Sequence, residues 1–572
     1  MSTPRVVTRS VPQPALDLLC ASGVHPVLAR VYAARGVSTA QQLDTSFNGL
    51  APVGRLKNCV VMARLLADAI AAGQRLLIVA DYDADGATAC ALGILALQSV
   101  GAKVEYLVPN RFEYGYGLTP EIVAIAASRR PDFLITVDNG IASIDGVEAA
   151  RKLGIGVLIT DHHLPATQLP SASCIVNPNQ PGCDFPSRNL AGVGVMFYVL
   201  LALRAELRSR GWFESRDEPN LADLLDLVAL GTVADVVRLD DNNRILVDQG
   251  LKRIRAGRTR PGITALLRVA GREPARVSAY DLGFVLGPRL NAAGRLTDMS
   301  IGIECLLARE GDRATELAVQ LDALNRERRD IEAGMQQTAL ALMERIAPAD
   351  AYSLSLYDET WHQGVIGILA ARLRERFNRP VIAFAPGSNG EAKGSGRSIP
   401  GLHLRDALDL VTKRHPGLIV RFGGHAAAAG LTVRIADMAR FENAFEETVR
   451  ALLTPADLEH VIETDGGLEP HDVSLPFAEL LTAQVWGQGF APPSFLDEFE
   501  VSEQRTVGGR HLKLRLRRKP AEPAFNAILF GREAPLPSRV NAVYRVQVNE
   551  FDSTRSVQLV LDHWWAANPY GD

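Results

Sequence analysis

Two α/β domains joined by a long helix and followed by a small C-terminal β-barrel are the architecture this sequence predicts. Three observations carry that expectation: short apolar runs alternating with helical segments from Gln74 onward, one sustained helical seam from Asp312 to Ile346, and strictly alternating segments near the C-terminus.

The first region holds four apolar runs, Arg75 to Ala80, Val104 to Val108, Phe133 to Val137 and Gly156 to Thr160. An apolar helix from Thr88 to Val100, opened by Gly86, lies between the first two. Apolar strands separated by crossover helices form a parallel sheet, so this part reads as a doubly wound domain. Between Asp312 and Ile346, Leu317, Leu321, Leu324, Arg328, Ile331, Met335, Thr338 and Leu342 alternate at spacings of four and three, which is one helix face interrupted at Arg328 and Thr338. Tyr352 to Tyr357, a helix around Val365 to Arg376, and Pro380 to Phe384 repeat the strand, helix, strand pattern. His511 to Arg517 and Tyr544 to Asn549 alternate apolar with polar residues, as barrel strands do. The expected division is 1–54 as an N-terminal segment packing on the core, 55–240 as the first α/β domain, 241–346 as a helical connector, 347–455 as the second α/β domain and 456–572 as the barrel domain.

A chain of 572 residues is too long for one hydrophobic core. Its 47% hydrophobic and 22% charged residues are those of a folded globular protein, and a formal net charge of -4 excludes a uniformly basic coat, so any nucleic-acid binding must use local patches. Six cysteines with no CxxC pair offer neither a zinc motif nor a disulfide framework. The opening residues lack the apolar run of a signal peptide, and the longest apolar stretch, Gly192 to Leu203, is too short to span a membrane. A cytoplasmic protein with no membrane role is expected.

The chemistry sits at the strand ends. The first run delivers Asp81-Tyr-Asp83-Ala-Asp85-Gly86 to the carboxyl edge of the sheet, the third ends in Asp138-Asn-Gly140, and the fourth ends in Asp161-His162-His163. A lone aspartate there is usually a helix cap. Repetition on three strands, with adjacent histidines, is not explained by capping. Gly231-Thr-Val-Ala-Asp235 adds another acid after an apolar helix that could return it to the same edge. Four carboxylates and an imidazole suit a pair of divalent ions, Mn²⁺ or Mg²⁺, across a phosphate, which implies phosphoester hydrolysis. His163 is positioned to hydrogen-bond a phosphate oxygen or help protonate the leaving group; a satisfied structural histidine is its bland alternative.

In these motifs the sequence resembles the DHH phosphoesterase superfamily, and within it the bacterial exonucleases that degrade single-stranded DNA. The resemblance implies a DHH catalytic domain, a DHHA1 nucleic-acid-binding domain and an OB-fold. It implies metal ligation by Asp81, Asp83, Asp138, His162 and Asp235, with His163 as a phosphate-facing catalytic residue. Arg111 in Pro109-Asn-Arg111, Arg289 in Gly287-Pro-Arg-Leu-Asn-Ala-Ala-Gly-Arg295, and Ser395 and Arg397 in Ser395-Gly-Arg-Ser398 would contact phosphate, a task suited to forked guanidinium donors. Trp361-His-Gln-Gly-Val-Ile-Gly367 and Phe422-Gly-Gly-His-Ala-Ala-Ala-Ala-Gly430 match the second domain, where Gly423, Gly424 and His425 would approach the nucleic acid; a tight turn is the simpler reading of those glycines. The basic stripe of Arg510, Lys513, Arg515 and Arg517 would follow the DNA backbone, or else be the solvated face of an amphipathic strand. The resemblance further implies 5′-to-3′ polarity, a role in DNA repair and recombination, and single-strand-binding protein and a DNA helicase as partners. A small-substrate DHH phosphatase is the rival enzyme, disfavoured by the extra barrel. A scaffold without turnover is disfavoured by the intact acid and histidine set, because clustered like charges are costly to keep without a metal.

Overall fold

The computed structural model describes residues 5–114, 117–346, 350–520, 522–551 and 554–567. It divides into two compact units, one comprising Thr8–Asp322 with Glu463–Asp572, the other Ala323–Ile462 with the first seven residues.

In the first unit the strands Arg75–Ala80, Lys103–Leu107, Phe133–Val137, Gly156–Thr160 and Cys174–Val176 form a parallel sheet. Across it the chain order is second, first, third, fourth, fifth. Leu76 to Ala80 and Leu134 to Val137 are buried without alternation, as expected for strands covered by helices on both faces. The order reverses between the first and third strands, and a crevice opens at such a switch point beyond the strands' carboxyl ends. The following helix is Ala84–Ser99, beginning before the Gly86 and Thr88 opening that the apolar pattern predicts. Asp83 causes the difference: one of its carboxylate oxygens accepts the N–H groups of Asp85 and Gly86, both at 3.0 Å, and so caps the helix.

The barrel belongs to the same unit and closes through five strands in the order Phe495–Val507, His511–Arg517, Phe525–Phe530, Thr554–Ala566 and Arg539–Phe551. Closure leaves no open sheet edge. Leu512, Leu514 and Leu516 point inward while Lys513 and Arg515 point out. The N-terminal helices Gln13–Ala21 and Pro26–Ala33 are tied to the segment leading into the barrel. Tyr32 donates to Gln484 at 2.7 Å, and Arg35 meets Asp465 at 2.7 Å with Arg9 on its other oxygen at 3.3 Å. The Asp465 side chain is wholly buried, so removing it leaves the buried Arg35 charge with only the Ala491 and Val31 carbonyls as partners and Arg9 with Glu463 alone. Asp465→Ala is expected to cost about 3 kcal/mol in urea-induced unfolding.

The second unit carries a five-stranded sheet in the order Ile419–Gly424, Ala428–Arg434, Glu391–Arg397, Val381–Pro386 and Leu354–Tyr357. Its last pair is parallel and the others antiparallel. The helix Gly311–Ile346 is shared by both units. Arg328 interrupts its seam without leaving the interior, because Asn325 and Glu332 on the same helix satisfy its guanidinium. Among the described residues no helix is long and apolar enough to cross a membrane.

Candidate metal centre

The switch point gathers the motifs into one buried cluster. Asp81 and Asp83 follow the first strand, Asp138 the third and His162 the fourth, while the apolar helix Leu225–Ala234 delivers Asp235 as its C-terminal cap. Potential ligand atoms of Asp81, Asp83 and Asp138 lie within 4.8 Å of one another, as do those of Asp85, His162 and Asp235. The two groups join where His162 Nε2 stands 3.0 Å from Asp138 Oδ1 and 3.5 Å from Asp235 Oδ2.

This much negative charge in a largely buried crevice cannot be held comfortably by protein alone. Burial, with the neighbouring Asp85, Asp83 and Asp235 carboxylates, pushes Asp138 well above the usual carboxylate range. Burial and the charges of Asp85, Asp83, Asp81 and Asp161 do likewise to Asp235. Asp85 is pushed up to about 7 by burial and Asp83, despite accepting backbone N–H groups. Burial and the adjacent His163 lower His162 to about 4, which makes it a neutral imidazole whose buried Nε2 has no hydrogen bond and faces the carboxylates. A divalent cation relieves all of these strains together, and a donor set of oxygens with one imidazole fits Mn²⁺ or Mg²⁺.

The two histidines are distinguished by their surroundings. The His162 side chain is 12% exposed and His163 is 42% exposed. His163 Nδ1 lies 2.8 Å from Asp161 Oδ1, and Asp161 also accepts the backbone N–H groups of Ile141, His162 and His163. Burial opposes the charge on His163, but its bond to Asp161 and the charges of Asp161, Asp81 and Asp83 outweigh it and raise the imidazole to about 9. His163 is therefore a cationic hydrogen-bond donor at the mouth of the cluster.

Three contributors escaped sequence reasoning. The Asp85 carboxylate accepts N–H from Gly192 at 2.6 Å and Val193 at 2.9 Å, anchoring the start of the helix Gly192–Ser209 beside the metal ligands. Its place as the third aspartate of one motif was the available signal. Asn291 Oδ1 accepts the Ala84 N–H at 2.7 Å, and Gly294 faces the same loop so closely that a Cβ would stand 1.9 Å from the Tyr82 carbonyl oxygen. The segment expected to contact phosphate through Arg289 thus also braces the Asp81–Asp85 loop. Gly294→Ala must displace that loop, and Mn²⁺ affinity measured by calorimetry is expected to fall about tenfold or more.

The expected substrate-binding residues divide between the units. Arg289 is buried, with its guanidinium held by Asp322 at 2.9 Å and by the Val285 carbonyl at 2.7 Å, so a phosphate contact there would add to an internal ion pair. The Arg111 side chain falls outside the described residues. In the second unit, Arg397 bonds Ser395 Oγ at 3.2 Å, and both groups stand 3.0 Å from the position a Cβ would take on Gly367, in the first turn of the helix Ile366–Phe377. The charge of Arg374 reaches Arg397 as well. A guanidinium and a hydroxyl thus converge on the start of the helix Ile366–Phe377. Gly423, Gly424 and His425 lie on an exposed hairpin tip, where Gly424 adopts φ 145° and His425 N–H bonds the Ala428 carbonyl at 2.8 Å. Their immediate structural task is the tight turn, between two strands. On the barrel, Arg510 precedes the outward-facing Lys513 and Arg515, while Arg517 donates to the Pro520 carbonyl at 3.3 Å.

An open parallel sheet with this acid and histidine cluster at its switch point defines a metal-dependent phosphoesterase of the DHH class. The description "DHH family, N-terminal domain" matches residues 75–232, "DHHA1 domain" matches 350–451 and "RecJ OB domain" matches 464–563. The chain belongs to the RecJ family. It is 51% identical to the single-stranded-DNA-specific exonuclease RecJ of Dickeya dadantii, over 98% of this chain and 99% of that one. It is 50% identical to the Escherichia coli protein of the same name, over 94% of this chain and 96% of that one. The crystal structure of Thermus thermophilus RecJ in complex with Mn²⁺ is similar, with TM-score 0.82 and 29% identity over 99% of this chain and 79% of that one. The Mg²⁺ complex of the same protein matches with TM-score 0.76 and 28% identity, over 99% of this chain and 78% of that one.

Proposed function

We propose that this protein is a single-stranded-DNA-specific exonuclease that hydrolyses phosphodiester bonds with two Mn²⁺ or Mg²⁺ ions, working 5′ to 3′. The observation that carries the reading is the buried cluster of Asp81, Asp83, Asp138, His162 and Asp235, whose charges are unfavourable together until cations join them. These five residues hold the ions. Bound there, divalent cations supply water activation and neutralise charge on the scissile phosphate. Asp161 keeps the Nδ1 proton on His163 and fixes the ring's orientation, and the exposed edge of that imidazolium donates to the phosphate or to the departing sugar oxygen. Asp85 and Asn291 hold the loops that carry the ligands.

Polarity follows from where a terminal phosphate is bound. In the second unit Ser395 and Arg397 are the groups that would take a phosphate, with Gly423, Gly424 and His425 approaching the DNA; in the first unit Arg111 and Arg289 are the cations that would contact phosphate. Arg510, Lys513, Arg515 and Arg517 grip the downstream backbone from the barrel. An enzyme confined to single strands depends on their being exposed, so a DNA helicase and single-strand-binding protein are its partners in cytoplasmic DNA repair and recombination. The test is digestion of single-stranded DNA labelled at either end, with 5′-phosphate or 5′-hydroxyl. Early release of short 5′-labelled products, favoured by the 5′-phosphate, supports the reading. Early release from the 3′ label overturns the polarity.

A further inference from the structure

A surface next to the metal centre has the form of a landing place for nucleobases. The segment 281–296 lies along the loops that carry the metal ligands. Its second part, Gly287–Leu296, braces the Asp81–Asp85 loop through Asn291 and Gly294. Its first part, Asp281–Leu286, is wound as a π-helix, a rare turn frequently found at functional sites. A Cβ on Gly283 would stand 2.9 Å from Val233 Cγ1, and one on Gly287 would stand 3.0 Å from Ala234 Cβ. The π-helical turn therefore rests on the last residues before Asp235.

Two aromatic rings project from this turn. Tyr280 and Phe284 stack on each other with centroids 5.0 Å apart and an angle of 22° between planes, yet they remain 57% and 64% exposed. Val236, which directly follows the ligand Asp235, is 57% exposed and has φ 63°, a left-handed conformation that is costly for a β-branched residue. The barrel reaches the same place. Arg276 pairs with Glu550 of the strand Arg539–Phe551, and Arg545 of that strand lies within electrostatic reach of the Tyr280 phenol.

We propose that Tyr280 and Phe284 form a stacking platform for the bases of single-stranded DNA, set between the metal centre and the barrel. This rests on the exonuclease reading. Base faces are the occupant that fits: stacking on exposed rings is tolerant of sequence, and the nearby Arg545 guanidinium is held flat against Asp562 at 2.7 and 2.8 Å, which leaves the rings themselves as the contact surface. Because one continuous segment joins the rings to both ligand loops, a stacked base fixes the register of the strand over the ions. Phe284 follows Gly283 directly and Val233 lies two residues before Asp235, which places the platform within roughly 15 Å of that ligand.

The test uses the full-length protein and an oligothymidylate carrying 2-aminopurine, titrated in chelator-containing buffer at several salt concentrations. Tyr280→Ala with Phe284→Ala is expected to weaken binding about tenfold or more and to relieve quenching of the probe. The salt slope should stay unchanged, because stacking releases no counterions. Tyr280→Phe with Phe284→Trp should bind like the parent, which separates stacking from damage to the turn, while Leu18→Ala controls for loss of exposed apolar surface elsewhere. Affinity within twofold of the parent in the double alanine variant overturns the platform, as does failure of the aromatic replacements to bind. A parent protein that neither binds nor digests single-stranded DNA would overturn the exonuclease reading instead.

Discussion

Asp138→Ala is expected to abolish hydrolysis of single-stranded DNA, by at least ~10³-fold, while leaving the fold intact. Asp138 lies between the two groups of ligand atoms, within reach of Asp81 and Asp83 on one side and 3.0 Å from His162 on the other. Its burial among Asp85, Asp83 and Asp235 is also a standing electrostatic cost to the metal-free protein. Removing the carboxylate relieves that repulsion, so thermal unfolding in chelator should occur at the parent temperature or higher. A variant that loses both activity and several degrees of stability would show that Asp138 is structural rather than a ligand. Near-parent turnover in saturating Mn²⁺ would exclude it from the metal site.

The two adjacent histidines should separate cleanly. His163→Ala is expected to slow the single-turnover rate by about 10² to 10⁴ while Mn²⁺ affinity stays close to that of the parent. His162→Ala should lose both. The difference arises because His162 directs a buried, neutral Nε2 at the carboxylates, whereas His163 faces outward and is kept cationic through Asp161. The raised His163 pKa, about 9 in the protein alone, gives the sign of the pH effect. Bound cations draw it down again, so turnover falls as the imidazolium loses its proton at or below pH 9. That limb should be missing from His163→Ala. Manganese titration followed by electron paramagnetic resonance, together with single-turnover rates, measures both quantities; equal loss of metal in the two variants would contradict the division.

What the sequence made legible was governed by local rules. Asp81, Asp138 and His162 each follow an apolar strand, and the switch point of a parallel sheet converts that position into spatial proximity. Asp235 was readable because an apolar helix precedes it. The apolar pattern alone starts the helix Ala84–Ser99 too late, because Asp83 is cap and ligand candidate at once: its carboxylate caps the helix from within the metal cluster. Long-range contacts were not legible. Nothing in spacing shows that Asn291 bonds Ala84, that Asp322 holds Arg289, or that Asp85 ties down the helix Gly192–Ser209. Alternation reveals His511–Arg517 and the Tyr544 to Asn549 part of the longer strand Arg539–Phe551, yet closure depends on the parallel pairing of Phe525–Phe530 with Thr554–Ala566, which alternation does not encode.

The central claim is that the cluster at the switch point becomes a hydrolytic site only when divalent cations occupy it. The most direct measurement is the rate of single-stranded DNA digestion by chelator-stripped protein as Mn²⁺ is added back, alongside calorimetric binding of Mn²⁺ to the same sample. The account predicts no digestion before addition, two bound ions per chain at saturation, and a rate that rises with occupancy of the second ion. Digestion that persists in the stripped protein, or full activity with Asp83 and Asp138 both replaced by alanine, would contradict it.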